Sequence, residues 1–173
     1  MNPELWSRTE LVALLGLLAD RLARRGVSAS VYVVGGAAIS LAFDSRRATR
    51  DIDAMVLEGH GPLIEEVRSI ARERGLPSTW LNEQAVAYVS TVGDGAATVV
   101  FDHPNLRVAA ASAEHLLAMK VAAARPTDVA DIVLLAGNLG IGSAAEAMEV
   151  YRRVFPGQDL GDRQRLVVED ALG

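Results

Sequence analysis

Leu11, Leu14, Leu15, Leu18 and Leu22 recur three and four residues apart, the spacing of one buried helical face. Ser7-x-x-Glu10 ahead of them predicts a capping box, and Gly26 closes the helix. The uninterrupted apolar run Val31-Tyr32-Val33-Val34 predicts a buried strand. Gly35-Gly36 then reads as a turn, Ala37 to Phe43 as a short helix, and Arg46-Arg47-Ala48-Thr49-Arg50 as a basic loop. A second strand is expected from Ile52 to Leu57. A helix from Pro62 to Arg74 turns Leu63, Val67 and Ile70 inward and ends at Gly75 and Pro77.

Further along, Ala85 to Val92 and Ala96 to Phe101 read as strands flanking Gly93-Asp94-Gly95, a hairpin turn, with a short strand around Leu106-Arg107-Val108. Ala113 to Ala124 is helical. Pro126 interrupts it, and Thr127 is expected to cap a helix running to Leu139. Ser143-x-x-Glu146 opens another helix to about Val154, and a last one is expected from Asp162 to Leu172. This order predicts an α/β (α+β) fold, a small mixed sheet followed by a helical C-terminal part. The expected division is residues 1–110 for the α/β core and 111–173 for the helices, packed as one compact unit.

Composition narrows the function classes. At 173 residues, half of them apolar, with mean hydropathy +0.21, the chain is long enough to bury a core and too apolar for disorder. No apolar run approaches the ~18 residues of a membrane span, so no membrane partner is expected. The start, Met1 to Trp6, has neither a basic region nor a cleavage-like site. Cysteine is absent, which excludes disulfides, thiolate metal sites and a cysteine nucleophile, and suits the cytoplasm. The formal charge of −5 disfavours indiscriminate binding to nucleic acid but allows a local basic face.

Two clusters carry candidate chemistry. Asp51 and Asp53 are two apart at the head of a strand, so both carboxylates share one face while Ile52, Ala54 and Val56 take the other. Paired carboxylates repel, and Mg²⁺ favours one or two of them together with substrate phosphates. The same pair also fits a plain surface position at a strand edge. Gly35 and Gly36, with the helix from Ala37, offer close backbone approach and helix N–H groups to an anion. No Walker lysine follows, and the third glycine of a dinucleotide fingerprint is missing. The second cluster holds the only lysine beside sixteen arginines, Lys120, followed by Arg125, Asp128 and Asp131. A compact ammonium and a planar guanidinium do not interchange at a tight phosphate site. Chance placement near a helix end is the plainer reading of Lys120 alone; on either reading a helix-end lysine contributes little to the core, and its replacement is expected to spare the fold.

Strand, Gly-Gly, helix, basic loop and Asp51-Ile52-Asp53 together resemble the nucleotidyltransferase superfamily. The Lys-x4-Arg-x2-Asp-x2-Asp run from Lys120 to Asp131 resembles the second motif of AbiEii/MenT-type toxins of bacterial toxin–antitoxin systems. The resemblance covers about residues 31–57 and 106–135. It implies an NTP-dependent transferase with one or two Mg²⁺ on Asp51 and Asp53. The triphosphate would lie on Gly35, Gly36 and Ala37, with Arg47 and Arg50 beside it, and Lys120 would neutralise phosphate charge. Asp131 would approach the metal or orient Lys120. The implied acceptor is the 3′ end of tRNA, and the implied partner a cognate antitoxin.

One departure stands out. The superfamily usually adds a third carboxylate between two apolar residues of a later strand. Here Asp102 has a polar neighbour, His103, and Asp94 sits in the expected turn. Two rivals therefore remain: an aminoglycoside-type small-molecule nucleotidyltransferase, and an inactive binding module of the same fold. His60, His103 and His115 have no metal-ligand spacing, and His115 reads as a helix-surface residue. Arg46, Arg47 and Arg50 are the expected RNA face, whereas Arg68, Arg72 and Arg74 read as an ordinary exposed helix face.

Overall fold

The computed structural model describes residues 5–44 and 46–173; the start at Met1–Glu4, on which the leader expectation falls, lies outside them. The chain divides into two compact units. One comprises the described residues up to Ala87 with Ala97–Ala111, the other Tyr88–Ala96 with Ser112–Gly173.

The first unit is built on a five-stranded mixed sheet. Its strands are β1 (Ala29–Val34), β2 (Ile52–Glu58), β3 (Leu81–Asn82), β4 (Thr98–His103) and β5 (Leu106–Ala110), in the order β3-β2-β1-β5-β4. β1 runs antiparallel to β2 and parallel to β5, so the most apolar strand takes the centre. Helix α1 (Arg8–Arg24) opens on the expected capping box: Ser7 Oγ accepts from Glu10 N at 3.4 Å, and Glu10 Oε2 accepts from Ser7 N at 2.7 Å. Leu11, Leu15, Leu18 and Leu22 are fully buried, each contributing about 1.5–3 kcal/mol over an exposed leucine. Helix α3 (His60–Arg74) packs on α1, buries Leu63, Val67 and Ile70, and ends at Gly75. Its acidic face is tied to α1: Glu73 to Arg21, and Glu65 and Glu66 to Arg25 at 2.7 and 3.2 Å.

Helix α2 (Gly35–Ala42) starts two residues earlier than the apolar pattern indicates, because both glycines join its first turn. The expected hairpin about Gly93-Asp94-Gly95 does not form. The two strands of the hairpin are β4 and β5, joined at Pro104-Asn105 with His103 paired to Leu106. Residues 85–92 hold instead a 3₁₀ turn at Val86–Tyr88.

The second unit is helical: α4 (Ala113–Ala123), α5 (Val129–Leu139), α6 (Ala144–Val154) and α7 (Asp162–Leu172). α4 packs against the other three and is buried on several faces, as its alanine and leucine content allows. It ends at Ala124, whose left-handed φ of 43° reverses the chain, and Arg163 donates to the carbonyls of Ala123 and Ala124 at 2.7 and 3.1 Å. Thr127 does not cap α5. It sits inside a 3₁₀ turn, Pro126–Asp128, where Asp128 Oδ2 accepts from Arg125 N at 3.2 Å.

His115 is buried, contrary to the surface position expected of it. Its ring lies 3.4 Å from Asp94 Oδ1 and 3.1 Å from the Val92 carbonyl. Asp94 also accepts from Ser112 N at 2.8 Å and from Ala96 N at 3.3 Å. These contacts fix residues 92–96 onto the start of α4, which is why the glycine-flanked aspartate makes no hairpin turn.

Candidate active site

The pairing of β1 with β2 sets Val34 opposite Asp53. Gly35 follows Val34, so the start of α2 comes against the Asp53 carboxylate. Glycine is required there on two counts. Its φ is +64°, in the left-handed region, and a Cβ would stand 3.2 Å from Asp53 Oδ2. At Gly36 the reason is close approach alone: a Cβ would lie 3.0 Å from Thr49 Oγ1. Ala37 completes this first turn and is buried. Val34, the N-cap, carries no side chain able to cap the helix.

Asp51 immediately precedes β2, and both aspartates are half-buried, while Ile52 and Ala54 are fully buried on the other face. Two further residues join them that sequence reasoning missed. Thr49 is buried; its hydroxyl donates to the Asp51 carbonyl at 3.1 Å, and its backbone bridges to Trp6. Asn82, in register with Asp53, donates from Nδ2 to Thr79 O at 3.1 Å, with Asp51 Oδ2 3.5 Å away. A two-residue strand carries no periodicity, so Asn82 left no signal beyond its amide. A lone threonine among arginines left none either.

The donor set suits a divalent cation. Asp51 and Asp53 lie two apart at the head of β2, with Asp53 against Gly35, where a side chain would crowd it, and Mg²⁺ completes its octahedron with waters and phosphate oxygens. Among the described residues no group of three or more His, Cys, Asp or Glu side chains stands ready for a metal. Asp102 does not supply the missing carboxylate. It pairs with Arg107, which pairs with Ser30, opposite Glu58; Asp53 pairs with Val34. From Ser30 to Val34 is about 13 Å at ~3.3 Å per residue, and β4 lies three strands from β2, about 14 Å. Asp94 belongs to the second unit, engaged with His115 and Ser112.

Of the loop arginines, Arg46 is paired with Asp44 at 3.2 Å, Arg47 is half-buried and Arg50 is exposed. The Arg46 backbone N–H, then its guanidinium, hold the Asp44 carboxyl below its ordinary range.

Lys120 and Asp131 lie in the second unit, where they are brought together with Asp128. Lys120 Nζ is 2.7 Å from Asp128 Oδ1 and 2.9 Å from Asp131 Oδ2. The lysine side chain is 19% exposed and each carboxylate 6%. Of the two roles open to Asp131, the contact made is the one that orients Lys120. One ammonium thus bridges two largely buried carboxylates. This geometry weighs against the expectation that loss of Lys120 would spare the fold.

A search of curated proteins and of solved structures finds no match to this chain. A family model described as "Nucleotidyltransferase of unknown function (DUF6036)" matches residues 10–136, a span that takes in the strand–Gly-Gly–helix turn, both aspartates and the lysine cluster. The sequence pattern, the Gly35–Asp53 contact and the family match agree, and the chain belongs to this nucleotidyltransferase family.

Proposed function

We propose that this chain is a magnesium-dependent nucleotidyltransferase that moves NMP from an NTP to an RNA hydroxyl, at the 3′ end of tRNA, as the toxin of a toxin–antitoxin pair. The observation that carries the transferase reading is the meeting of Gly35 and Asp53, where a helix start and a carboxylate share one small space. The tRNA acceptor and the antitoxin partner rest on the resemblance of the Lys120–Asp131 run.

Asp51 and Asp53 would hold the metal, which when bound supplies charge neutralisation for the triphosphate and the departing pyrophosphate. The first-turn N–H groups of Gly35, Gly36 and Ala37 bind phosphate oxygens. Thr49 and Asn82 hold the backbone and the amide beside Asp51 in place. The role of Lys120, neutralising phosphate charge, rests on the resemblance of its motif; within its own unit its ammonium is held by Asp128 and Asp131. The acceptor hydroxyl attacks the α-phosphorus and gives up its proton to solvent, the bond from the α-phosphorus to the bridging oxygen breaks, and pyrophosphate leaves. Positioning and electrostatics suffice without a covalent enzyme intermediate.

One observation favours a second reading, a nucleotide-binding module without transfer. Among the described residues, the acids on the sheet's strands are Asp53, Glu58 and Asp102, and the last two stand at the far end from Gly35. Incubation with each labelled NTP, Mg²⁺ and total RNA separates the two. Transfer of label to RNA, lost in Asp51→Ala and Asp53→Ala with the fold retained, supports the transferase. NTP binding with no transfer to any RNA supports the module, and full transfer by either variant refutes the metal site.

A further inference from the structure

The acceptor arginines expected from the sequence lie between residues 46 and 50, but the first unit holds another basic surface. A groove of about 510 Å³ is lined by Arg68, Ala71, Arg72, Leu76, Ser78 and Thr79. Arg68 and Arg72 are four residues apart on α3 and so share a face. Both are exposed, and among the described residues neither makes an ion pair or hydrogen bond. Their nearest acids in sequence are already taken: Glu65 and Glu66 by Arg25, Glu73 by Arg21. Helix α3 thus has its carboxylates neutralised against α1 and its two groove arginines left uncompensated, in a chain of net charge −5.

The opposite wall is held in place. Trp80 is fully buried and its indole donates to the Val67 carbonyl at 2.9 Å, pinning the Ser78–Trp80 segment on α3. Ser78 and Thr79 add exposed hydroxyls, and Ala71 and Leu76 add an apolar floor. That segment leads straight into the site: the Thr79 carbonyl accepts from Asn82 Nδ2, which also faces Asp51 Oδ2, and the Trp80 carbonyl accepts from Ile52 N at 2.8 Å.

We infer that this groove binds the phosphodiester backbone of a single-stranded RNA acceptor and leads its 3′ end toward Asp51. The proposal rests on the transferase reading for the direction of the strand, but its contacts are its own. Two guanidiniums one helical turn apart, in a groove also lined by Ser78 and Thr79, suit successive phosphates, and Ala71 and Leu76 suit sugar and base.

The test uses the whole chain and a fluorescein-labelled single-stranded RNA, read by anisotropy over a series of salt concentrations, with NTP·Mg²⁺ binding measured in parallel. The variants are Arg68→Ala/Arg72→Ala and Arg68→Lys/Arg72→Lys, each checked by circular dichroism. The alanine pair is expected to weaken RNA binding at least about tenfold. It should also flatten the log–log salt slope by about 1.4, at ~0.7 per lost single-strand phosphate contact. The lysine pair keeps most of the slope. Unchanged RNA affinity and slope in the alanine pair overturn the groove, even if the wild type transfers nucleotide. Absence of RNA binding by the wild type overturns it as well. A parallel loss of NTP binding overturns it in favour of a triphosphate subsite. If RNA binding depends on both arginines but no transfer occurs, the groove stands and the transferase reading falls.

Discussion

Replacing Lys120 by methionine removes the cation that bridges Asp128 and Asp131 while keeping much of the side-chain volume. The carboxylates, each 6% exposed and within 3 Å of the ammonium, then lose that bridging partner. Breaking a buried pair by deleting one partner costs about 3–5 kcal/mol. The 19% exposure of Lys120 places this case toward the lower end, about 3 kcal/mol. At about 2–4 °C per kcal/mol for a chain of this size, the melting temperature should fall by about 6–12 °C. Urea denaturation followed by far-UV circular dichroism measures the loss directly. The triple variant Lys120→Met/Asp128→Asn/Asp131→Asn should recover most of it. No charge then remains to be compensated, and the amide oxygen introduced at position 128 can still accept from Arg125 N, as the Asp128 carboxylate does. A Lys120→Met stability within about 1 kcal/mol of the wild type, a third of the expected loss, would refute the reasoning. So would a triple variant no more stable than the single one. Lys120→Arg isolates chemistry from folding. It keeps the charge but widens the cation, and transfer should fall about a hundredfold with a smaller loss of stability.

Gly35→Ala meets both the left-handed backbone and the Asp53 carboxylate, so it should cost about 1–3 kcal/mol in urea denaturation and abolish NTP·Mg²⁺ binding; binding at wild-type affinity would show that the turn does not face the nucleotide. His115→Leu leaves Asp94 buried beside an apolar side chain and should destabilise by about 1–3 kcal/mol, with proteolysis appearing within residues 88–96; an unaltered digestion pattern would count against the pinning role. Hydrogen bonds first from Arg21 and then from Ser69 lower the Glu73 carboxyl below its ordinary 4.5. Its stabilisation is therefore present above that value and fades as pH falls through the lowered one. The melting temperature of Arg21→Gln should converge on that of the wild type under acid, and a constant gap would refute the coupling.

The helices were the most legible part of the fold. Capping boxes at Ser7 and Ser143 and three-to-four-residue leucine spacing are local signals, and local signals survive folding. The hairpin was misplaced because Gly93-Asp94-Gly95 is a good turn by composition, whereas Asp94 spends its carboxylate on Ser112 N and His115, partners that periodicity does not reveal. At the site, the chemistry of Gly35, Gly36, Asp51 and Asp53 was readable, since few residue types serve such positions. Their contact needed the Val34–Asp53 register. Asn82 and Thr49 were invisible because their roles come from strand neighbours 31 and two residues away, through single hydrogen bonds. The arginines obey the same logic. Whether a guanidinium is neutralised depends on which helix its neighbouring acids face.

The register between β1 and β2 also predicts where length variation is tolerated. Gly35 and Asp53 are joined through the residues after α2, and nothing in the pairing of Val34 with Asp53 depends on how many residues lie between Phe43 and Thr49. Insertions or deletions there that keep Arg46 and Arg47 should leave the Val34–Asp53 register unchanged. A single-residue insertion at Ile52 is another matter. Strand side chains alternate, so the slip sends Asp53 to the face now held by Ala54 and buries a carboxylate where the core expects a methyl group. Relatives that keep the Gly35–Asp53 contact should therefore differ in loop length and share one unbroken count from Thr49 through Ala54, so that this stretch behaves as a fixed ruler while the preceding loop varies in length.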